Sequence, residues 1–460
     1  MSSDPSNRQD RFRLTAVVTT GALLFAAVGL TVANTLQGPR LLDAQINPGG
    51  AVEGAGERLV LRVDQTVAEL TTDQVTVTPR VPLEPTSDGA ALILRFADSL
   101  SYATTYDIVA TVQSATTGAS STLRYSFRTP DGAFYILQRA PSNADTDAPD
   151  QIVHHFIGST EQQRVVRRQP HIEQYAVADP VIGVVTSDAD GAGTLTVGPL
   201  DGSKAPQTLA DNSDINQLKS SGPSGLIGFV LTPWSGPDRG GDGQLHLYNP
   251  VTGKLIKVSG FDGKPFQPLD WAFVPGTTSI VAQTPDNSFY LIDPLNGRPA
   301  QPLGGHSRMY GFVPGSTTLI VDDNGDYKAI DLATGNTSTL PDIDLPDSAG
   351  LQQLLPLGGD RGYVGWVATQ DGAGLVVVIN NSHTRQIYAE DPDPTGGIQS
   401  ICLSPNGQYL AVAKLPRDVA TNPESSGFAN KTELVDTATG RTDHEVAGSE
   451  VNWCNQNATS

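Results

Sequence analysis

The chain has 460 residues, 17% of them charged, with 47 Gly, 33 Pro, two Cys and a formal net charge of −20. That acidity excludes a phosphate-binding surface for nucleic acid and charge-driven attachment to anionic lipid, and its plain role is solubility. Few charges, many turn formers and recurrent Val, Thr and Ile predict an all-β protein with room for two or three domains.

Residues 1–13 are polar and carry Arg8, Arg11 and Arg13. Leu14 to Leu36 contains no charged side chain. A run of about 20 such residues suffices to span a bilayer as a helix. Arginines ahead of it predict a cytoplasmic N-terminus and a single-pass anchor at 14–36, so the lipid bilayer is the first expected partner. A cleaved signal peptide is the alternative, with Thr31-Val32-Ala33 as a loose cleavage pattern. Either way the bulk of the chain is expected outside the cytoplasm, where Cys402 and Cys454 can oxidise.

Residues 40–130 read as a β-sandwich. Leu41 to Ile46 is a first strand and Asn47-Pro48-Gly49-Gly50 its turn. Leu59 to Val63, Gln74 to Thr78 and Ala91 to Phe96 follow, the second of these with period-2 alternation. A strand from Leu100 to Val112 and a last one from Leu123 to Arg128 complete an Ig-like pattern of short strands spaced by turns. The stretches Leu94-x-Phe96, Leu100-x-Tyr102-x-Thr104-Thr105-Tyr106 and Phe127-Arg128-Thr129 resemble the bacterial SbsA-type Ig-like domain. That resemblance implies a surface-exposed spacer rather than catalysis.

Residues 131–460 repeat. Leu245 to Asn249 precedes Gly253, Tyr290 to Asp293 precedes Gly297, Tyr327 to Asp331 precedes Gly335, and Glu433 to Asp436 precedes Gly440. Looser copies end at Ile157, Val197 and Asn380, which makes seven units. Asp or Asn caps each turn through its side chain and Gly supplies positive φ, so these acids are structural. Spacings from 38 residues (Asp293 to Asp331) to 56 (Asn380 to Asp436) suit four-stranded blades. Innermost strands recur at Leu269 to Gly276, Met309 to Gly315 and Ile401 to Gly407, and more loosely at Ile172 to Ala178, Ile215 to Leu218 and Leu351 to Leu355. Blade one lacks one, and Val451-Asn452-Trp453-Cys454 is expected to supply it, closing a seven-bladed β-propeller with the C-terminal strand. Leu403 to Val412 resembles the repeat of TolB-type propellers, and the Asp-x-x-x-Gly turns resemble the wider WD40/YVTN-like group. Both resemblances imply a fold, not an activity.

The search for chemistry finds no nucleophile elbow, zinc-peptidase, phosphate-loop or EF-hand pattern, so no catalytic residue, cofactor or metal ligand is assigned. His154 and His155 adjoin on one strand and point to opposite faces. Asp188-Ala189-Asp190-Gly191 and Asp322-Asp323-Asn324-Gly325-Asp326 carry oxygens that would suit Ca²⁺, but Asp-Gly and Asn-Gly are turn formers in their own right. Trp271, Tyr310 and Trp453 fall near the innermost strands, either stacking on a ligand at the channel mouth or filling the wedge between blades. Cys402 and Cys454 align on neighbouring inner strands and are expected to form a disulfide; two buried thiols are the alternative.

Together these features point to a membrane-anchored extracytoplasmic binding or scaffold protein that engages an envelope protein or glycan. Two alternatives stay open. One is a propeller enzyme, a quinoprotein-like dehydrogenase or a glycan lyase or hydrolase; the other is an accessory subunit of a secretion or cell-wall complex.

Overall fold

The computed structural model describes residues 15, 17–22, 37–140, 148–158, 163–222, 225–233, 243–260, 263–340, 350–358, 361–368, 374–380, 383–390, 397–415 and 430–454. The expected span at 14–36 lies outside the described residues apart from 15 and 17–22, which are helical. Among the described residues no helix is long and apolar enough to cross a membrane. The rest is all-β and divides into two compact units, split chiefly between Thr129 and Pro130.

The first unit carries seven antiparallel strands: β1 (Leu41–Gln45), β2 (Arg58–Val63), β3 (Val75–Thr78), β4 (Leu83–Asp88), β5 (Ala91–Phe96), β6 (Thr105–Gln113) and β7 (Ser120–Arg128). They form two sheets, ordered β1-β2-β5-β4 and β3-β6-β7. Alternation dictates the sandwich: Leu92, Leu94 and Phe96 on β5 face inward, as do Tyr106, Ile108, Ala110 and Val112 on β6. Phe96 and Phe127 meet across the sheets with ring centroids 6.3 Å apart.

Two expectations need correction. Asn47-Pro48-Gly49-Gly50 is not a simple turn, because Pro48–Glu53 is a short helix whose Ala51 N–H bonds the Asn47 carbonyl at 3.1 Å. Pro at the first helical position is preset for that geometry. The strand expected from Leu100 begins only at Thr105, since Ala103 sits at φ 48°, outside the extended region. Asp98–Ala103, with Val52–Ala55, groups with the second unit.

The second unit is a β-propeller-type succession of antiparallel meanders. Blade 1 has Ala133–Gln138, Asp150–Phe156 and Arg164–Gln169, in a three-stranded sheet. A seven-stranded sheet holds the next two blades. Ile172–Ala178, Val181–Ser187 and Gly193–Pro199 belong to blade 2, and Ile227–Pro233, Gln244–Asn249 and Lys254–Lys257 to blade 3. Between them the 14-residue strand Gln207–Ser220 is outermost in one blade and innermost in the other.

Four four-stranded sheets follow. Blade 4 is Asp270–Phe273, Ile280–Gln283, Ser288–Asp293 and Arg298–Gly305; blade 5 is Arg308–Phe312, Thr318–Asp323, Asp326–Asp331 and Thr337–Thr339. Blade 6 is Gly350–Pro356, Tyr363–Ala368, Gly374–Asn380 and His383–Ala389; blade 7 is Gly397–Leu403, Tyr409–Leu415, Lys431–Asp436 and Thr442–Ala447.

The strand-end turns follow from their residues. Asp436 Oδ1 accepts the Thr439 N–H at 2.7 Å, its carbonyl accepts the Gly440 N–H at 2.7 Å, and Gly440 stands at φ 74°. Asn249 with Gly253 and Asp331 with Gly335 repeat the arrangement. The expected C-terminal closing strand is not a strand. One antiparallel bridge joins Ser449 to Leu137, and the chain turns at Asn452. Asn452 substitutes its side chain for the next rung: its Oδ1 accepts the Tyr135 N–H at 2.7 Å while its own N–H bonds the Tyr135 carbonyl at 3.0 Å.

A cavity walled by bulged inner strands

Five inner strands of the second unit carry a register break at the same place. Glu173, Gln217-Leu218, Tyr310, Gln352 and Gln399 each fall where the ladder to the next strand is interrupted. A bulge leaves its residue unpaired and re-aims the side chain; Gln352 and Gln399 emerge exposed, whereas Tyr310 packs into the core. Gln217 adopts φ 51° at its break.

Several long polar side chains seal one blade to the next. The Arg139 guanidinium, just past the first strand of blade 1, reaches the Ile172 carbonyl in blade 2. Gln174 Nε2 donates to the Ile215 carbonyl at 3.0 Å while its Oε1 accepts the Leu218 N–H at 2.9 Å. Gln217 Nε2 donates to the Leu269 carbonyl at 3.0 Å, and Lys219 Nζ pairs with Asp270 Oδ1 at 2.8 Å. Gln283 reaches the Ser307 carbonyl at 3.2 Å, Arg308 the Gln352 carbonyl at 3.2 Å, and Arg361 the Asn406 carbonyl at 2.9 Å. At each of these junctions a side-chain donor satisfies a main-chain carbonyl that the neighbouring blade leaves at its edge. The amides recur in the sequence at Gln174, Asn216-Gln217, Gln352-Gln353 and Gln399, and that recurrence is the signal that could have found them.

The inner strands enclose a cavity of about 800 Å³. Its wall mixes the amides of Gln174, Asn216, Gln353 and Gln399 with apolar Leu218, Phe312, Leu355 and Ile401. Trp366 contributes aromatic surface and Arg308 a cation, whose guanidinium carbon lies 5.6 Å from the ring centre of the buried Tyr310. Burial, and then Asp322, push the Tyr310 hydroxyl above its ordinary pKa, so it stays a protonated donor. The other cation in the wall, Lys219, is buried against Asp270.

Of the three aromatics singled out in the sequence, Tyr310 alone borders this wall, and its side chain is 4% exposed, packed with Ile320, Leu354 and Val377 between blades 5 and 6. Trp271 is fully buried; a Cβ on Gly228 of blade 3 would lie 2.3 Å from its Cη2, so the indole fills the wedge between blades. Trp453 is buried against Phe134 at 5.4 Å, its Nε1 donating to the Ala133 carbonyl. Neither indole is placed for ligand contact. Cys402 and Cys454 are disulfide-bonded with Cα atoms 5.2 Å apart, and both line the cavity.

The two Asp-rich turns use their own oxygens. Asp188 Oδ1 accepts the N–H groups of Asp190 and Ala192 at 2.9 Å each, and Asp322 Oδ1 that of Gly325 at 2.6 Å. Asp323 holds His306 Nδ1 at 2.7 Å and pairs with Lys328. Among the described residues no group of three His, Cys, Asp or Glu side chains is placed to hold a metal ion.

No family model matches the chain. It is similar to the 77 kDa echinoderm microtubule-associated protein of Lytechinus variegatus, 26% identical over 172 residues, which are 35% of this chain and 26% of that protein. Among solved structures it is similar to the uncharacterized protein lmo1340 of Listeria monocytogenes, with 13% identity, a TM-score of 0.42, and coverage of 68% of this chain and 94% of that one. It is also similar to the β-propeller domain of the Trilobed protease of Pyrococcus furiosus, with 10% identity, a TM-score of 0.37, and coverage of 77% and 100%.

Proposed function

We propose that the protein is a membrane-anchored, extracytoplasmic binding or scaffold protein whose propeller engages an envelope protein or glycan without catalysis of its own. The observation that carries this reading is the cavity wall: its polar groups are chiefly side-chain amides on bulged inner strands. Amides donate and accept hydrogen bonds but do not titrate, so they recognise a ligand rather than move its protons. The uncharged run 14–36 behind Arg8, Arg11 and Arg13 supports the anchor, and the first unit, read as an Ig-like spacer of the SbsA type, would carry the propeller outward.

The test places a photoactivatable amino acid at Gln352 or Gln399 in the full chain in its own cells, with Val251, which is 90% exposed, as the control site. Crosslinks to one envelope protein or glycan from the cavity sites and not from Val251, in the membrane fraction after a high-salt wash, are expected. Recovery of the protein from the soluble fraction would remove the anchor. Identical crosslinks from all three sites would remove the cavity. Turnover of a glycan or peptide substrate abolished by Gln399→Ala would replace the binding reading with an enzymatic one.

A further inference from the structure

We infer that the cavity of the second unit takes a neutral oligosaccharide; the inference rests on the binding role proposed above and names its ligand class. The first argument comes from the bulges. A peptide recognised by strand addition needs a regular row of main-chain N–H and C=O groups along an edge. The register breaks at Glu173, Gln217, Tyr310, Gln352 and Gln399 interrupt that row on five inner strands.

The second argument is the kind of side chain. A sugar hydroxyl is donor and acceptor at once, and so is a carboxamide. The amides that meet this description with surface to spare are those of Asn216, Gln352 and Gln399, wall residues whose side chains are exposed. The part-exposed Trp366 ring offers a face for the apolar C–H side of a pyranose, and the surrounding apolar wall excludes water from that contact.

The third argument is charge. Lys219 is neutralised by Asp270, which leaves Arg308 as the cation of the wall, in a chain of formal net charge −20. A polyanionic glycan would meet a repulsive field with one cation to oppose it. The volume, about 800 Å³, falls in the range of roughly 300–1,000 Å³ usual for ligand pockets and suits a short oligomer.

The experiment is calorimetric titration of the full chain in nanodiscs. The probes are neutral tetrasaccharides of glucose, galactose, mannose and N-acetylglucosamine, a galacturonate tetramer, and an uncharged octapeptide of Ala, Ser and Gln. Gln352→Ala and Gln399→Ala each remove one exposed amide of the wall; the melting temperature of each variant reports its folding. Saturable binding of a neutral tetrasaccharide, weakened about tenfold by either variant at unchanged melting temperature, is expected for the loss of one hydrogen bond to the ligand. Binding of the peptide or the galacturonate alone overturns the inference, as does sugar binding indifferent to both variants. If no probe binds but the cavity photocrosslinks persist, the ligand class is wrong and the binding role stands. If the crosslinks also vanish, both fall.

Discussion

His155 is 3% exposed, its ring stacks on Phe134 with centroids 5.3 Å apart, and neither ring nitrogen has a hydrogen-bond partner among the described residues. His306 is buried to a similar degree, but Asp323 holds its Nδ1. Burial, and then the neighbouring His154, lower the His155 pKa below its ordinary 6.5. The sign follows directly. Above about pH 6.5 the ring is neutral in both the folded and the unfolded chain and pH has no effect through this group. Below it the unfolded chain takes up a proton that the folded one refuses, so stability falls as pH falls. His155→Phe keeps a flat ring of similar size against Phe134 and removes the titration. Its melting temperature relative to the parent chain is therefore expected to be higher at pH 5 than at pH 8. Part of the acid sensitivity will remain, because His154 and His246 are lowered by burial too. Parallel melting curves for the two proteins between pH 8 and pH 5 would show that His155 does not carry the effect.

At the scale of the blade, contacts between sheets depend on the space their small residues leave. Gly228, on the second strand of blade 3, lies against both Trp271 and Leu247; a Cβ there would come within 2.3 Å and 2.8 Å of them. The indole is fully buried and cannot swing out to solvent. Gly228→Ala is expected to cost about 1–3 kcal/mol, the range for overpacking a core, and a urea titration would read it as a lower midpoint at unchanged slope. An unchanged midpoint would mean that blades 3 and 4 can separate slightly at no cost. This element also shows how far a sequence can be read. The turns after Asn249, Asp331 and Asp436 are legible because capping side chain, carbonyl and glycine lie within four residues of one another. The bulges at Tyr310, Gln352 and Gln399 are not, because a bulge is a relation of register between two strands. Likewise an aromatic in a blade is the same letter whether it borders the cavity, as Trp366 does, or fills the wedge between blades, as Trp271 and Tyr310 do. Only packing decides that.

In the second unit as a whole, one short segment ties the last blade to the first. Ser449 bridges to Leu137 and Asn452 pairs with Tyr135 of blade 1, Trp453 packs on Phe134, and Cys454 is bonded to Cys402 of blade 7. The Tyr175 hydroxyl of blade 2 adds to this, lying 2.7 Å from the Tyr135 carbonyl and 2.6 Å from that of Glu450. Every other junction within the unit is continuous in sequence, so its two sides stay near each other in the unfolded chain. The junction of blade 7 with blade 1 joins residues about 300 apart, as in Gln138 with Ala447, separated by 309 positions. The entropy of closing such a loop is largest here, and these hydrogen bonds together with the apolar cluster of Phe134, Ile136, Leu434, Val446, Val451 and Trp453 must offset it. The disulfide acts on a different loop: it closes the 52-residue separation from Cys402 to Cys454 and so fixes the segment to blade 7. Denatured, unreduced protein is therefore expected to show no free thiol. Cys454→Ser is expected to lower stability by about 2–4 kcal/mol, the usual effect of removing such a bridge. Reduction of the parent chain should lower it by the same amount and leave the variant unaffected. Two titratable thiols in the denatured, unreduced chain, or equal stability of parent and variant before reduction, would show that the hydrogen bonds of Ser449 and Asn452 and the packing of Val451 and Trp453 hold this junction without the disulfide.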